Sequence, residues 1–214
     1  MVKVNKKVIE KVKDKTIEDV KPTIEVKNGL TYVNGILIVN KTYSVPNDYN
    51  PGSLTTETKN AFDEMQKAAE KDNIKLWIVS GFRSYSLQTS LYNNYVLKDG
   101  KEKADTYSAR PGHSEHQTGL ALDFALIINN MYVDNFDDSF NEVQWIHNNA
   151  YKYGFILRYP KGKEDITGFS YECWHLRYVG KDVSYIMHNE NILTLEEYHL
   201  LKYKNNKKVL VKQK

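Results

Sequence analysis

Residues 111–124 read PGHSEHQTGLALDF. Two histidines, two acids and two glycines lead into and through an apolar run, and the fold turns on how that run is read. Side chains of a β-strand alternate between its faces. As a strand over residues 119–128, the stretch puts Leu120, Leu122, Phe124 and Leu126 on one face, where they can pack a core. Gly119, Ala121, Asp123 and Ala125 fall on the other, so Asp123 is flanked by the smallest residues and has room beside it. His116 stands seven residues earlier, where the chain enters the strand. A histidine and a carboxylate converging on a roomy face suit a divalent metal such as zinc, whose ligand bonds are about 2.0–2.2 Å. The stretch alone equally admits a hydrogen-bonded histidine and an ordinary strand-edge aspartate.

Working outward, LTYVNGILIV (residues 30–39) carries an Asn34-Gly35 turn signal between apolar runs and reads as a hairpin. Residues 56–71 read as a helix, with Phe62, Met65 and Ala69 at helical spacing and Thr55 or Thr56 as cap. Leu76 to Ser80 reads as a short buried strand. Ser84 caps a helix running through Leu87, Leu91 and Val96 that stops near Gly100. Residues 101–115 are polar and rich in turn formers, which predicts a long surface loop. Ser139 and Glu142 have capping-box spacing for a helix ended by Gly154, and strands are expected at 155–159 and 171–179. A short helix near 181–189 follows, and Thr194 with Glu197 caps another. Hairpins and helices mix without regular βαβ alternation, so the class is α+β.

The 214 residues, 41% apolar and with sixteen tyrosines, suit one folded domain with a sizeable core. No run approaches the ~20 apolar residues that span a bilayer. The residues after Met1 lack the apolar core of a signal peptide. The single Cys173 excludes an internal disulfide framework. Charge is uneven: residues 202–214 carry six lysines and no acid, and residues 1–21 carry seven lysines against four acids. Subtracting +6 and +3 from the net +3 leaves −6 for the body, residues 22–201. An acidic body argues against a nucleic-acid-binding domain. The basic ends read as solvated tails, with contact to anionic lipid or wall polymer as the functional alternative.

Two further stretches carry chemistry. In YECWHLRYVG (residues 171–180) Glu172 stands three residues before His175, among aromatic residues. If His175 is a third ligand, the set is His116, Asp123 and His175, which leaves one position open for water, as catalytic zinc sites require. Glu172 would then take a proton from that water and pass it to a leaving amine. Positions 172 and 175 of a regular strand point to opposite faces, so either Glu172 precedes the strand or a bulge re-aims it. The alternative is a satisfied core histidine and a surface glutamate. In SGFRSYSLQ (residues 80–88) Arg83 follows a buried strand, where a planar guanidinium can grip a carboxylate with two hydrogen bonds, or simply form a surface ion pair. Gln88 lies one turn beyond the Ser84 cap and can face the same cleft.

Taken together, SGFRSYSLQ, YSARPGHSEHQTGLALDF and ECWHLRYVG resemble the VanY-like D-alanyl-D-alanine carboxypeptidases. These belong to a superfamily of zinc metallopeptidases that also holds lysostaphin-type enzymes and the hedgehog domain. The resemblance runs from about Gly35 to about Tyr198, and the Ser-x-His-x-x-Gly-x-Ala-x-Asp pattern is met at Ser114, His116, Gly119, Ala121 and Asp123. It implies a small antiparallel sheet carrying a zinc site and flanked by helices. It implies His116, Asp123 and His175 as zinc ligands, Glu172 as catalytic base, Arg83, Gln88 and Ser114 at the substrate, and Trp174 as a wall of the site. Cys173 departs from the pattern, standing where a proline is usual, and removes no ligand.

The organisation that follows is a basic linker or tail (1–22), a zinc carboxypeptidase domain (23–201) and a basic C-terminal tail (202–214). The implied reaction removes the C-terminal D-alanine from a peptidoglycan stem peptide, with Arg83 pairing the terminal carboxylate or the developing oxyanion. Two alternatives stand beside it. One is an L,D-carboxypeptidase acting on tetrapeptide stems. The other is a metal-retaining module that only binds wall peptide, against which the intact Glu172 argues. Peptidoglycan lies outside the cytoplasmic membrane, so an exported or membrane-tethered monomer is expected, with its leader outside this sequence.

Overall fold

The computed structural model describes residues 22–200; the two Lys-rich ends, apart from Pro22, lie outside the described residues. Three strands open the chain: β1 (Ile24–Lys27), β2 (Leu30–Val33) and β3 (Ile36–Leu37), paired antiparallel in that order. The hairpin about Asn34-Gly35 is present, with both residues at positive φ (51° and 81°), as its two-residue turn requires. β1 extends it on the other side through a second tight turn at Asn28-Gly29, also at positive φ. That strand escapes the sequence reading because all four of its residues are exposed and carry no burial pattern.

Helix α1 (Thr56–Lys71) begins where Thr55 accepts a hydrogen bond from the Thr58 N–H. Its inner face, with Ala61, Phe62, Met65 and Ala69, is buried. β4 (Leu76–Ser80) and α2 (Tyr85–Asp99) follow, and the Ser84 side chain caps α2 at the Leu87 N–H. The next segment departs from expectation. Lys101–Tyr107 is a helix, α3, and not a loop. Two i,i+4 ion pairs, Lys101–Asp105 and Lys103–Asp99, stabilise it on the outside, and Ala104 alone is buried. A helix with one buried residue leaves almost no periodic signal.

The principal sheet is antiparallel throughout, in the order β4–β5–β8–β7, with β6 pairing the far end of β5. Its members are β5 (Ala121–Ile128), β6 (Met131–Val133), β7 (Phe155–Leu157) and β8 (His175–Tyr178). Between β6 and β7 lies α4 (Asn141–Asn149), continued by a 3-10 turn to Gly154. The expected capping box is not formed there: Ser139 bonds Asp137, and α4 starts after Phe140 with no side-chain cap. The box at the last helix is formed, with Glu197 N–H donating to Thr194 Oγ1 and Thr194 N–H donating to Glu197 Oε2. A four-residue helix, α5 (Glu164–Thr167), and α6 (Lys181–Asn189) complete the described elements apart from that last helix.

Leu122, Phe124 and Leu126 of β5 pack with Leu76 and Leu176 against α1 and against Val143 and Ile146 of α4. Each such fully buried side chain contributes about 1.5–3 kcal/mol relative to exposure. With one sheet face committed to that core, the residues between them face the other way.

Gly119 does not open the strand. It closes a 3-10 turn over Glu115–Thr118, at φ 70°. A Cβ there would sit 2.6 Å from the Ser53 carbonyl oxygen, and the Gly119 carbonyl accepts from the Thr55 N–H. The turn therefore packs backbone to backbone on the approach to α1. Gly119→Ala is expected to cost more than the ~1–2 kcal/mol of a left-handed alanine, because the clash adds to it. Gly35→Ala, at φ 81° with no atom within 4 Å of the added Cβ, should cost only the conformational part. Urea unfolding of both variants checks this; equal losses would show that the Ser53 contact carries no weight.

Candidate metal centre and active site

Strand register builds the site. Ser80 of β4 and His175 of β8 both lie directly opposite Asp123 of β5. The three side chains thus form one row across the sheet, on the face away from the core. A register irregularity between Ile78 and Ser80 brings Ser80 into that row. His116 enters from the 3-10 turn, and its ring meets that of His175 edge-on at 4.9 Å. β8 begins only at His175, so Glu172 precedes the strand, where alternation does not apply. That resolves the geometric conflict in the Glu-x-x-His spacing.

The resulting geometry is compact. One donor atom from each of His116, Asp123 and His175 lies within 4.8 Å of the others. Asp123 Oδ2 is 3.3 Å from His116 Nε2, and Asp123 Oδ1 is 3.0 Å from His175 Nδ1. His116 Nδ1, at 2.6 Å from the Gly81 carbonyl, donates to it, which turns the Nε2 lone pair into the site. Arg83 reaches between the donors, its Nη2 at 2.8 Å from His116 Nε2 and 2.9 Å from Asp123 Oδ2. Two imidazoles and a carboxylate, gathered round a point where a positive charge already rests, are the chemistry of a divalent-metal site.

Burial and neighbours set the titration of these side chains. Burial pushes the His116 pKa down, against the pull of Asp123. Burial alone would raise Asp123, yet the two histidines hold its carboxyl well below the usual range. For His175 burial is outweighed by Asp123 and Glu115, and the pKa rises to about 9. Glu172 behaves oppositely: burial raises it to about 7, with Asp123 adding and His175 opposing. Its Oε2 is 3.6 Å from His175 Nδ1. A carboxylate that titrates near 7 is matched to general acid–base work at neutral pH.

The row faces a cavity of about 440 Å³ lined by Arg83, Ser114, Glu172 and Trp174, with Tyr107 and Phe169 among its aromatic walls. Gln88 is not part of that lining. It is buried behind Arg83, accepting from Arg83 Nη1 at 3.1 Å and donating to the Ala109 carbonyl. Arg83 is thereby held at three edges, since its Nε donates to Ser80 Oγ at 3.0 Å. Cys173 packs in the main core, its thiol directed to the Phe136 carbonyl, and burial pushes its pKa up to about 11. The fully buried Glu115, Arg158 and Arg177 beside the Asp123–His175 row were not anticipated. Charged residues inside apolar stretches, FILRYP and WHLRYV, were the one visible signal for the two arginines, and the polar stretch around Glu115 gave none.

Comparison with known proteins places these features. The VanY family model, described as D-alanyl-D-alanine carboxypeptidase, matches residues 52–181. A D-alanyl-D-alanine carboxypeptidase of Enterococcus faecium is 39% identical over 146 residues, 68% of this chain and 43% of that enzyme's length. The L,D-carboxypeptidase DacB of Streptococcus pneumoniae superposes with a TM-score of 0.71 at 41% identity, covering 84% of this chain and 96% of DacB. The vancomycin-resistance D,D-pentapeptidase VanY, as a point mutant in complex with Zn(II), superposes at 0.66 with 30% identity, covering 75% and 96%.

If His116, Asp123 and His175 hold the metal, zinc-loaded wild type should carry one ion per chain and His116→Ala far less. Metal analysis after dialysis decides it, and equal content in a folded variant would remove His116 from the set.

Proposed function

Because the chain belongs to the VanY family of D-alanyl-D-alanine carboxypeptidases, we propose that it hydrolyses the last peptide bond of a peptidoglycan stem peptide and releases the C-terminal D-alanine. The observation that carries the reading is the facing of Asp123 and His175 across β5 and β8, with His116, Glu172 and Arg83 around them in one cavity. The chain is a zinc peptidase, by its likeness to the carboxypeptidases and to the Zn(II)-bound VanY. Zinc, when bound, supplies Lewis acidity that polarises the scissile carbonyl and makes water nucleophilic at neutral pH.

The chain's own residues divide the remaining work. His116, Asp123 and His175 are the ligands. Glu172, whose carboxyl pKa is pushed up to about 7 by burial, accepts the proton of the attacking water and returns it to the leaving amine. Arg83 provides the positive charge that a free terminal carboxylate or an oxyanion needs. Its Nη2 contacts His116 and Asp123. If those two residues held a metal, Nη2 would be free to meet the substrate, with Ser80 and Gln88 still holding the guanidinium. Gln88 therefore serves as an anchor for Arg83 and not as a direct substrate contact. Ser114 and Trp174 line the peptide's path.

Two specificities share this chemistry. The family description and the E. faecium enzyme favour D,D cleavage of pentapeptide stems. The higher identity to the L,D-carboxypeptidase DacB, 41% against 30% for the D,D-pentapeptidase, favours tetrapeptide stems. Either substrate places the enzyme on the wall side of the membrane, where the Lys-rich ends can meet anionic polymer or lipid. No helix among the described residues is long and apolar enough to cross a membrane.

Mass spectrometry of penta- and tetrapeptide stems after incubation with the zinc-loaded protein tests the proposal. Loss of one D-alanine from the pentapeptide alone supports D,D, from the tetrapeptide alone L,D, and from neither refutes the carboxypeptidase reading. Glu172→Ala should keep its zinc and lose ~10²–10⁴-fold in turnover. Near-normal hydrolysis by the folded variant would remove Glu172 from the mechanism.

Amidation of the substrate's C-terminus tests Arg83. A charge-assisted hydrogen bond is worth about 1.5–3 kcal/mol, or roughly tenfold to a hundredfold in kcat/KM. Wild type should lose about that factor on the amide, and Arg83→Ala much less. The same factor for both enzymes would show that Arg83 does not read the carboxylate and would favour an endopeptidase.

A further inference from the structure

Behind the ligand row lies a buried ion cluster that the proposed chemistry does not use. Glu115, Arg158 and Arg177 are each 1% exposed or less. One carboxylate oxygen of Glu115, Oε1, accepts from both guanidiniums, at 2.8 Å from Arg158 Nε and 2.6 Å from Arg177 Nη1. Arg158 is fixed in turn by both oxygens of Glu196, and Arg177 by the Leu37 and Tyr178 carbonyls. The second oxygen, Oε2, has no hydrogen-bond partner. It faces another buried atom without one, His175 Nε2, at 3.5 Å.

A cluster that only neutralised two buried arginines would gain by sharing both oxygens between them. Here both arginines bind one oxygen and the other is left to the histidine. His175 has two ring nitrogens, and Nδ1 faces Asp123 at 3.0 Å. A ligand nitrogen must present its lone pair, and the other nitrogen then carries the ring's single proton. Without a partner at Nε2, that proton is best placed on Nδ1, against Asp123, where it blocks coordination. We propose that Glu115 is a positioning residue: it accepts the Nε2 proton of His175, fixes the ring's orientation and commits Nδ1 to the metal, while Arg158 and Arg177 hold Glu115 in place. The inference rests on His175 being a metal ligand. A ligating histidine whose far nitrogen donates to a carboxylate binds metal more firmly, and loss of such a partner typically weakens affinity about 10- to 100-fold.

Long-range proton–nitrogen NMR of the histidine rings in the zinc-loaded wild type tests this directly. The expected result is a proton on His175 Nε2 and a metal-shifted, unprotonated Nδ1. Zinc competition with a chelating dye, on Glu115→Gln against wild type, gives the second readout, with zinc affinity about 10- to 100-fold weaker in the variant. Val143→Ala, a remote core change, controls for lost stability and should leave zinc affinity unaltered. Wild-type zinc affinity in a folded Glu115→Gln, whatever its melting temperature, would overturn the proposal and leave Glu115 as a counter-ion only. Coordination through Nε2 would overturn it too, and does so even if Glu115→Gln fails to fold. If neither His175 nitrogen responds to zinc, the ligand set itself falls, an outcome distinct from a ligating ring with its nitrogens reversed.

Discussion

The antiparallel pairing of β5 with β8 is the constraint on which the rest depends. It sets Asp123 opposite His175 by register, and a one-residue slip would send each side chain to the opposite face. That slip is resisted by the core, because Leu122 and Leu176, also paired in this register, are both fully buried on the other face. The apolar packing and the polar row are therefore two sides of one registration. The hydrophobic face supplies the free energy and the polar face inherits the geometry.

The polar face has its own costs. Removing one partner from a buried ion pair typically costs about 3–5 kcal/mol, although a well-packed apolar replacement of the whole cluster is often neutral or better. Stability alone thus gives little reason for Glu115, Arg158 and Arg177 to lie beneath the site. Rigidity gives a better one. Arg177 bonds the Leu37 carbonyl and Arg158 bonds Glu196, so the cluster ties the Asp123–His175 row to the N-terminal hairpin and to the last described helix. Elements more than a hundred residues apart are bolted to the same carboxylate.

Much of this was legible in the sequence, and the reasons differ by element. Large–small alternation in the sequence exposed β5, and helical spacing exposed α1, whose Ala61, Phe62, Met65 and Ala69 are buried. α2 was legible through its Ser84 cap instead, since it buries only Gln88 and Tyr92 and leaves Leu87 exposed. β1, with four exposed residues, and α3, with one buried residue, write no periodic pattern. The Ser139 capping box failed because its spacing is local chemistry for which Asp137 competed, whereas the same spacing at Thr194 met no competitor. In the site, spacing and residue type pointed to His116, Asp123, His175 and Glu172, and the structure gathers all four. Gln88 was misplaced by one layer: helical phase put it toward the cleft, but Arg83 lies in front of it. Glu115 sits beside a candidate ligand in the chain, and only the fold reveals that it meets His175, sixty residues on.

Three carboxylates stand within one small volume, and their surroundings divide them. Glu115 has two guanidiniums on one oxygen, which overcome burial and hold it ionised well below the usual carboxylate range. Asp123 has two imidazoles and Arg83, and is likewise held ionised. Glu172 has burial without a bonded cation; His175, 3.6 Å away, is shared with the other two, and the pKa settles at about 7. A carboxylate that is always charged can anchor or ligate but cannot shuttle a proton near neutrality, and one that titrates there can. The same side-chain chemistry is thus sorted into two carboxylates held ionised and one that titrates near neutrality, by the burial and the neighbours each one meets. Those neighbours are set by the sheet register and by the turn that Gly119 closes.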